Sequence, residues 1–500
     1  MNLKKTVAIA AAAGALAAIS VPAMAFENEF HGIYNLKFFV SNYENGGTAT
    51  IDPTGRTVKA ATAATATLNQ TTGAVILTPA TAASTSYYDN EKRKANNFFE
   101  QRARLQYIAK ASDDLKLVTH FELDAKFGGD KSGKYAVSSD AGVLDADGIS
   151  LETKHVYLDF NLGKSVNVKT GIMPVKDSLK GVFLDADIAG ILATTKLGSA
   201  TVATGYYRVK TDSSLFIPAW TSQAAATTSY NTNISELGHN NADVFILDGK
   251  YAISKDLNVG GAYYLLSDYS TGTPSTVHVF GVNADAKIGP AAVSGFVAAE
   301  TGYAVSAARR ASISAYAANV AAKIAIGPGT LKTAGLFLSG DGDAATGNNN
   351  AWATAGVNTY AEGGMFLLFR TGVGGTTNDR TLSGGNFGSM NNRGAILYTL
   401  GYDATITPKL YTNANVGMLW LAKTDTNLIN QGTAKTNGGD LLGTEINLET
   451  GYKVYDNLTA RVQLAYVILG GAYTNTVGTA AAPKTPEDPY TARIGLSYAF

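Results

Sequence analysis

The chain has 500 residues, no cysteine, and 40 basic against 40 acidic side chains, so its formal net charge is zero. This composition gives no polybasic surface for nucleic acid, and it excludes disulfides, thiolate metal sites and covalent haem attachment through cysteines. Glycine (53) and tyrosine (26) are abundant and proline (12) is scarce. Beyond the N-terminal segment there is no apolar run of about 18 residues, the minimum for a membrane-spanning helix, so a membrane location would require strands.

The first 25 residues have the pattern of a secretory signal peptide. Lys4 and Lys5 precede an alanine-rich apolar stretch, and the tripeptide Ala-Met-Ala that ends at Ala25 matches a cleavage site. A single membrane helix is the alternative, but no stop-transfer pattern follows. We therefore predict a cleaved signal peptide over 1–25 and one domain over 26–500.

The rest of the chain contains about eighteen segments in which apolar and polar residues alternate, which predicts strands with one apolar and one wet face. Most have around the ten residues that a tilted strand needs to cross an outer membrane. The predicted strands span 30–43, 99–111, 115–127, 152–162, 166–173, 189–197, 201–211, 242–254, 256–269, 276–288, 291–303, 312–326, 330–340, 394–406, 409–422, 442–454, 458–473 and 490–500.

The connections between these strands alternate in length. Tight turns are predicted at 112–114, 163–164, 198–199, 254–255, 289–290, 327–329, 407–408 and 456–457. Longer polar links are predicted near 44–96, 128–150, 174–187, 212–240, 270–275, 304–311, 341–392, 423–440 and 474–489. Short turns on one rim and long loops on the other are typical of outer-membrane barrels. The sequence therefore predicts an all-β fold, a transmembrane antiparallel barrel of 16–18 strands.

The last predicted strand indicates how the barrel closes. Tyr490, Ile494, Leu496, Tyr498 and Phe500 lie on one parity, and the other parity is mostly polar or small. An unpaired backbone group in hydrocarbon costs several kcal/mol, so the sheet must close on itself and this strand must pair with the first. Ile494 and Leu496 are then expected to face lipid, with the aromatic residues at the interfaces.

Charged residues on the parity opposite the apolar one are predicted to line a pore. Closure makes four strands consecutive, and their inward charges form a basic strip flanked by acidic strands. The basic strip consists of Lys37, Arg102, Arg104, Lys110, Arg461 and Arg493, with His120, Glu122 and Asp124 on one side, Glu445 and Glu449 on the other, and Lys169 as a further lining residue. Opposed charges would create a transverse field across a narrow waist. The alternative is that the charges merely pair across strands and keep the lumen wet.

The segments "FEQRARLQYIAK", "LVTHFELDAKFG" and "KHVYLDFNLGKSVNVKTGIMPV", with the signal peptide and the alternating strands, resemble the Gram-negative outer-membrane porin family. Within that family, the chain is similar to the long-chain porins of metal-reducing deltaproteobacteria. The terminal strand with Tyr498 and Phe500 resembles the signal by which outer-membrane proteins are recognised for assembly. The long first loop and the lack of a P-E-F-x-G-type motif depart from the general porins.

The resemblance implies a water-filled channel for small hydrophilic solutes in the outer membrane, without a cofactor. It implies contacts with outer-membrane lipids and the barrel-assembly machinery, a homotrimer, and a third loop folded inward. That loop, 174–187, carries Asp177, Asp185 and Asp187 as constriction candidates. The apolar run within 363–375 is a second inward candidate, which either packs inside the barrel or forms a further strand.

Three functions stay open on the sequence. A passive diffusion porin fits inward charges of both signs. A substrate-selective channel, or a barrel sheath around an electron-carrying cytochrome, is the second hypothesis, and a surface adhesin, suggested by the Ala/Thr-rich stretch 57–86, is the third. No enzyme is predicted, because the Gly-Lys-Ser at 163–165 lacks the earlier glycine of a phosphate loop. No metal site is predicted either, because the five histidines form no His-Glu-x-x-His motif.

Overall fold

The architecture is that of a computed structural model. It describes residues 27–44, 95–129, 140–142, 151–211, 241–270, 275–306, 309–341, 348–357, 360–369, 382, 393–423, 439–474, 477–479 and 482–500, together with four short strands within 56–87. The predicted signal peptide over 1–25 lies outside the described residues, as does most of the 44–96 link.

Eighteen long strands form one sheet. In chain order they are β1 (Glu27–Ser41), β2 (Asn96–Ser112), β3 (Leu115–Gly129), β4 (Leu151–Leu162), β5 (Val166–Lys176), β6 (Leu184–Leu197), β7 (Ala200–Lys210), β8 (Ala242–Ser254), β9 (Leu257–Asp268), β10 (Ser275–Ile288), β11 (Ala291–Ser306), β12 (Arg309–Ile326), β13 (Gly329–Leu338), β14 (Ala395–Thr405), β15 (Leu410–Leu421), β16 (Leu441–Tyr455), β17 (Leu458–Leu469) and β18 (Tyr490–Ala499).

Each strand pairs antiparallel with its neighbours in sequence, and β1 pairs with β18 as well as with β2, which closes the barrel. The predicted antiparallel barrel of about 18 strands is confirmed. Two boundaries differ appreciably from the prediction. Strand β6 begins five residues earlier than predicted, at Leu184, and β17 ends at Leu469, before a 3-10 turn at Gly471–Tyr473.

The two rims differ as the sequence predicts. One rim carries the turns 113–114, 163–165, 198–199, 255–256, 289–290, 327–328, 406–409 and 456–457, and the other carries all the longer links. Small secondary elements lie within those links: the strands Arg56–Lys59, Thr65–Leu68, Val75–Thr78, Ser84–Tyr87, Asp140–Gly142, Asn348–Asn349, Gly356–Val357, Val477–Thr479 and Ala482–Lys484, and a 3-10 turn at Ala361–Gly363. Among the described residues, no helix has the length and apolar character needed to cross a membrane.

The barrel wall has an apolar outer face. Large hydrophobic side chains such as Val297, Ile468 and Ile494 are 58%, 51% and 61% exposed on that face. Their neighbours along each strand point inward and are mostly buried, as the alternation of exposed and buried positions in β8 and β17 shows. An apolar outside around a polar inside is the arrangement that suits a barrel in lipid.

The seam between β1 and β18 is held by backbone pairing along its whole length. Lys37 lies opposite Gly495 in the register, and beyond the last β18 residue the Gly32 N–H donates to the Phe500 carbonyl at 2.8 Å. The Phe500 N–H returns a bond to the Gly32 carbonyl at 3.0 Å. The Phe500 ring lies over Gly32 so closely that a Cβ at position 32 would stand 2.2 Å from it. Glycine at position 32 therefore provides the space for this ring.

We expect Gly32→Leu and Phe500→Asp each to reduce the amount of assembled barrel, because the first expels the ring from the seam and the second puts a charge there. Export across the inner membrane should be unaffected. The measurement is the quantity of heat-modifiable barrel in the outer membrane, with Phe500→Tyr as the control that keeps an aromatic ring. Wild-type quantities in both variants would show that the ring contact has no part in assembly.

Candidate functional site

The interior of the barrel contains a hairpin that leaves the wall. Strands β4 and β5 pair only as far as Val156 and Ile172, and β6 and β7 begin to pair at Ala189. The ladder between β5 and β6 nevertheless continues up to Lys176 and Asp185. Residues 173–188, which we call the inner hairpin, are thus separated from both neighbouring strands. Their burial, with Met173, Leu179, Val182 and Phe183 all at 0% exposure, shows that they fold into the lumen.

The carboxylate of Asp177 organises the tip of the inner hairpin. One oxygen accepts the backbone N–H groups of Leu179 and Gly181, both at 2.8 Å. The other oxygen accepts the N–H groups of Phe183 and Leu184, at 2.8 and 2.6 Å. Burial raises the pKa of Asp177 to about 6, against the opposing effect of the four N–H donors. The carboxyl group is therefore mostly ionised at pH 7, and in that form it can accept all four bonds.

The tip of the inner hairpin packs against the wall formed by β8 to β10. The Phe183 ring stacks on Tyr264 with 5.5 Å between centroids. The Ser178 hydroxyl donates to Asp248 at 2.6 Å. Leu179 fills the space above Gly281, where a Cβ would meet the Leu179 side chain at 2.6 Å. These contacts fix the position of the tip without any backbone ladder to the wall.

A second segment of the interior comes from the long link between β13 and β14. Its described residues within 351–369, which we call the inner strap, contact the inner hairpin. The Trp352 indole N–H donates to the Val182 carbonyl at 3.0 Å, and the Ala355 N–H donates to the Phe183 carbonyl at 2.9 Å. An ion pair of 3.0 Å between Lys180 and Glu362 adds a side-chain contact. The hairpin and the strap therefore form one connected body inside the barrel.

The far end of the inner strap is held by Glu445 of β16. This side chain is fully buried, and its oxygens accept the backbone N–H groups of Phe366, Leu367 and Leu368 at 2.6 to 2.9 Å. The apolar run from Met365 to Phe369 is buried inside the barrel. The run does not form a further strand. Of the two possibilities that the sequence left open, the structure therefore shows packing inside the barrel.

Among the predicted pore-lining residues, four come together on β2 and β3. Arg102 bonds both oxygens of Asp124 through its Nε and Nη2 atoms, and Arg104 bonds Glu122. Arg102 also lies 3.6 Å from Glu122. These charges pair along the wall between adjacent strands. This pairing is the alternative that the sequence left open for these charges.

A row of basic residues crosses the seam. Lys37 and Arg461 flank Gly495 in the register of β1, β18 and β17. Arg493, two positions along β18, is 2% exposed and is paired with Glu44. Its guanidinium also lies 5.4 Å from the centroid of the Phe366 ring, so the inner strap reaches this side of the barrel.

The other predicted lining residues have partners of their own. Lys110 is near the short-turn rim, where it pairs with Glu27 and Asp113. Lys169 is 4.0 Å from Asp159. Glu449 accepts hydrogen bonds from Tyr411 and Gln463, at 2.9 and 2.5 Å. The Nδ1 atom of His120 lies 3.1 Å from that of His155.

Of the three constriction candidates, only Asp177 lies in the loop between β5 and β6. Asp185 and Asp187 belong to β6, which starts earlier than predicted. Asp185 pairs with Lys176 at 3.0 Å, and Asp187 bonds Lys154 and His155. Since His155 is on β4, the contact between His155 and Asp187 joins the β6 arm of the inner hairpin to the wall.

Sequence reasoning missed several residues that shape the lumen. Glu44, Lys180, Trp352 and Glu362 all lie in links, where no alternation marks a residue as inward. One signal was available for Trp352: a tryptophan amid asparagine and alanine in a polar link is an unusual surface residue, and burial explains it.

Two cavities border the tip of the inner hairpin. One, of about 370 Å³, includes Lys180, Asp285, Lys323 and Glu362 in its lining. The other, of about 350 Å³, includes Lys180, Asp285 and Asp248. Lys180 and Asp285 line both, so the space beside the tip is polar and carries both signs of charge.

We expect Asp177→Ala to loosen the hairpin tip, because four N–H groups lose their acceptor and each unsatisfied buried group costs about 1–3 kcal/mol. Single-channel recordings in a planar bilayer should show a larger or noisier conductance than the wild type. Asp113→Ala, in an exposed turn on the short-turn rim, removes an equal charge as the control. A wild-type trace for Asp177→Ala would mean that the tip does not limit conduction.

No protein-family model matches the chain, and no curated protein matches it in sequence. Its fold is similar to that of OprE (OccK8) of Pseudomonas aeruginosa, with a TM-score of 0.50 and 12% identity over 95% of this chain and 98% of that chain. The outer membrane protein OpdK of the same organism gives a TM-score of 0.49 and 11% identity, covering 95% and 98% of the two chains. OccAB1 of Acinetobacter baumannii gives 0.48 and 12% identity, covering 95% and 96%. The chain thus has the fold of an outer-membrane porin barrel.

Proposed function

We propose that the protein is an outer-membrane channel through which small hydrophilic solutes and ions diffuse passively. The observation that carries the proposal is a closed barrel of eighteen strands with an apolar outside and an interior that combines charged walls with an inner hairpin and strap. Barrels of 16–18 strands are wide enough to enclose an aqueous channel. The hairpin and the strap narrow that space, and a narrowed aqueous channel is what a porin requires.

The charges on the inner wall support a wet lumen. Arg104, Lys250 and Asp285 lie on inward positions, and the side chains of Lys250 and Asp285 are 55% and 46% exposed. A charge transferred to a dry apolar interior loses far more free energy than a single ion pair returns. Water between the inner strap and the charged wall is therefore the arrangement consistent with these side chains.

The same interior bears on the alternative functions. The narrowing of the lumen by the hairpin and the strap supports a substrate-selective channel, because a narrow pore with fixed charges discriminates between solutes by their size and by the sign of their charge. A sheath for a cytochrome gains none, because the inner strap runs from Glu300 on β11 to Glu445 on β16 and occupies space that a protein guest would need. The adhesin hypothesis rests on the 57–86 stretch alone, most of which lies outside the described residues.

We also propose the location and assembly that follow from a porin role: export with a cleaved signal peptide, insertion into the outer membrane by the barrel-assembly machinery, a homotrimer surrounded by outer-membrane lipids, and no catalytic activity. The relation to the porins of metal-reducing deltaproteobacteria stays a prediction from the sequence.

The purified protein should conduct in a planar bilayer, and Arg104→Gln should shift its zero-current potential in a KCl gradient toward cation preference. The substitution leaves Glu122 with one fewer cation, while Arg102 remains 3.6 Å from it. We choose Arg104 because the buried pair of Arg102 and Asp124 is costly to break, whereas the Arg104 side chain is 28% exposed. The shift should be larger at 0.1 M salt than at 1 M, where the screening length falls from about 10 Å to about 3 Å.

Lys164→Gln is the matched control, because it removes the same charge from an exposed turn between β4 and β5. Its zero-current potential should equal that of the wild type. Absence of conductance from a correctly folded wild-type barrel would contradict the proposed function. An Arg104→Gln channel that conducts with unchanged selectivity would instead show that ions pass along another part of the wall.

A further inference from the structure

We propose that His120 and His155 form a binding site for a divalent transition-metal ion such as Zn²⁺ or Cu²⁺ inside the barrel. The two histidines lie directly opposite each other in the register of β3 and β4. Their Nδ1 atoms approach to 3.1 Å, and imidazole nitrogen is a preferred ligand of both metals. The inference does not depend on the protein's being a channel.

The hydrogen bonds of His155 show where its lone pair lies. Its Nε2 atom is 2.8 Å from Oδ1 of Asp187, and an ionised carboxylate only accepts hydrogen bonds, so Nε2 carries a proton. In the neutral ring, Nδ1 then has a free lone pair, which points at His120. The proton between the two Nδ1 atoms belongs to His120. If that proton moves to Nε2 of His120, both Nδ1 atoms become available to one metal ion and no net proton is released.

The spacing of the two nitrogen atoms suits a shared metal. With metal–nitrogen bonds of about 2.0–2.1 Å, two ligands stand about 3.3 Å apart at a tetrahedral angle and about 2.9 Å apart at a right angle. The observed 3.1 Å lies between these values. Adjustments of a few tenths of an ångström in the rings therefore bring both atoms into coordination.

The surroundings complete the site. A carboxylate that receives the second N–H of a metal-binding imidazole fixes the ring's tautomer and orientation, and Asp187 has this position for His155. The nearest cations are Arg104 and Lys154, and each is already paired, with Glu122 and Asp187 respectively. Their charges therefore present only a weak barrier to a metal ion.

The site would be open to the lumen. Within the described residues, no group of three or more His, Asp or Glu side chains is arranged to hold a metal ion. Water molecules would therefore complete the coordination of a metal bound by the two imidazoles. His155 is buried, whereas His120 is partly exposed. A site with two protein ligands and water exchanges its metal readily, and we expect reversible binding.

The test is electron paramagnetic resonance of Cu²⁺ added to the purified, untagged barrel in detergent, with Zn²⁺ as the competitor. The wild type should show hyperfine coupling to two imidazole nitrogens, which Zn²⁺ removes and Mg²⁺ does not. His120→Ala and His155→Ala should each leave at most one nitrogen, and their Cu²⁺ affinity should fall by at least about tenfold. Asp187→Asn should keep both nitrogens while weakening binding by about 10- to 100-fold, as for other partners behind a metal ligand.

His278→Ala is the control, because this histidine lies on β10 beside Tyr263 and not on β3 or β4 with His120 and His155. It should leave the spectrum unchanged. The proposal is overturned if the wild-type signal shows fewer than two nitrogens, or if His278→Ala lowers the signal as much as His120→Ala does. The wild-type spectrum alone decides the matter if a variant fails to assemble, and it does so whether or not the barrel conducts.

Discussion

Backbone hydrogen bonding in hydrocarbon is the constraint on which the rest of the structure depends. A sheet in lipid has no water to satisfy an edge, so β1 must pair with β18 and the barrel must close. Closure over eighteen strands encloses more space than the inward side chains of the wall can fill. The inner hairpin and the inner strap occupy part of that space, and the remaining polar part is available for water and solutes.

The same constraint applies inside the lumen, where the hairpin tip and the strap lack a ladder to the wall. Two buried carboxylates supply the missing acceptors. Asp177 accepts four backbone N–H groups at the hairpin tip, and Glu445 accepts three in the strap. Because buried N–H groups are costly when unpaired, these two residues are expected to matter more for the shape of the lumen than charges on the wall.

The sequence predicts the wall well because strand alternation is a local signal. The period of two predicts every barrel strand, and closure follows from the cost of leaving backbone groups unpaired in hydrocarbon. The interior was predicted only in part. The apolar run at 365–369 marked the strap, but strand alternation does not show that β5 leaves β4 after Ile172. In retrospect Pro174 is a signal, because proline lacks the N–H that a ladder needs. The partners of Asp185 and Asp187 depend on that departure and could not be found from spacing.

We propose that the tip of the inner hairpin stands in the conduction path. The chain has no cysteine, so one introduced thiol can be modified without background. Lys180→Cys places it at the tip beside both cavities, and Ile191→Cys places it on the outer face, where the native side chain is 47% exposed. The decisive measurement is single-channel current before and after a charged, membrane-impermeant thiol reagent. We expect the reagent to reduce the current through the Lys180→Cys channel and to leave the current through the Ile191→Cys channel unchanged. Complete modification of Lys180→Cys with unchanged current would contradict this proposal.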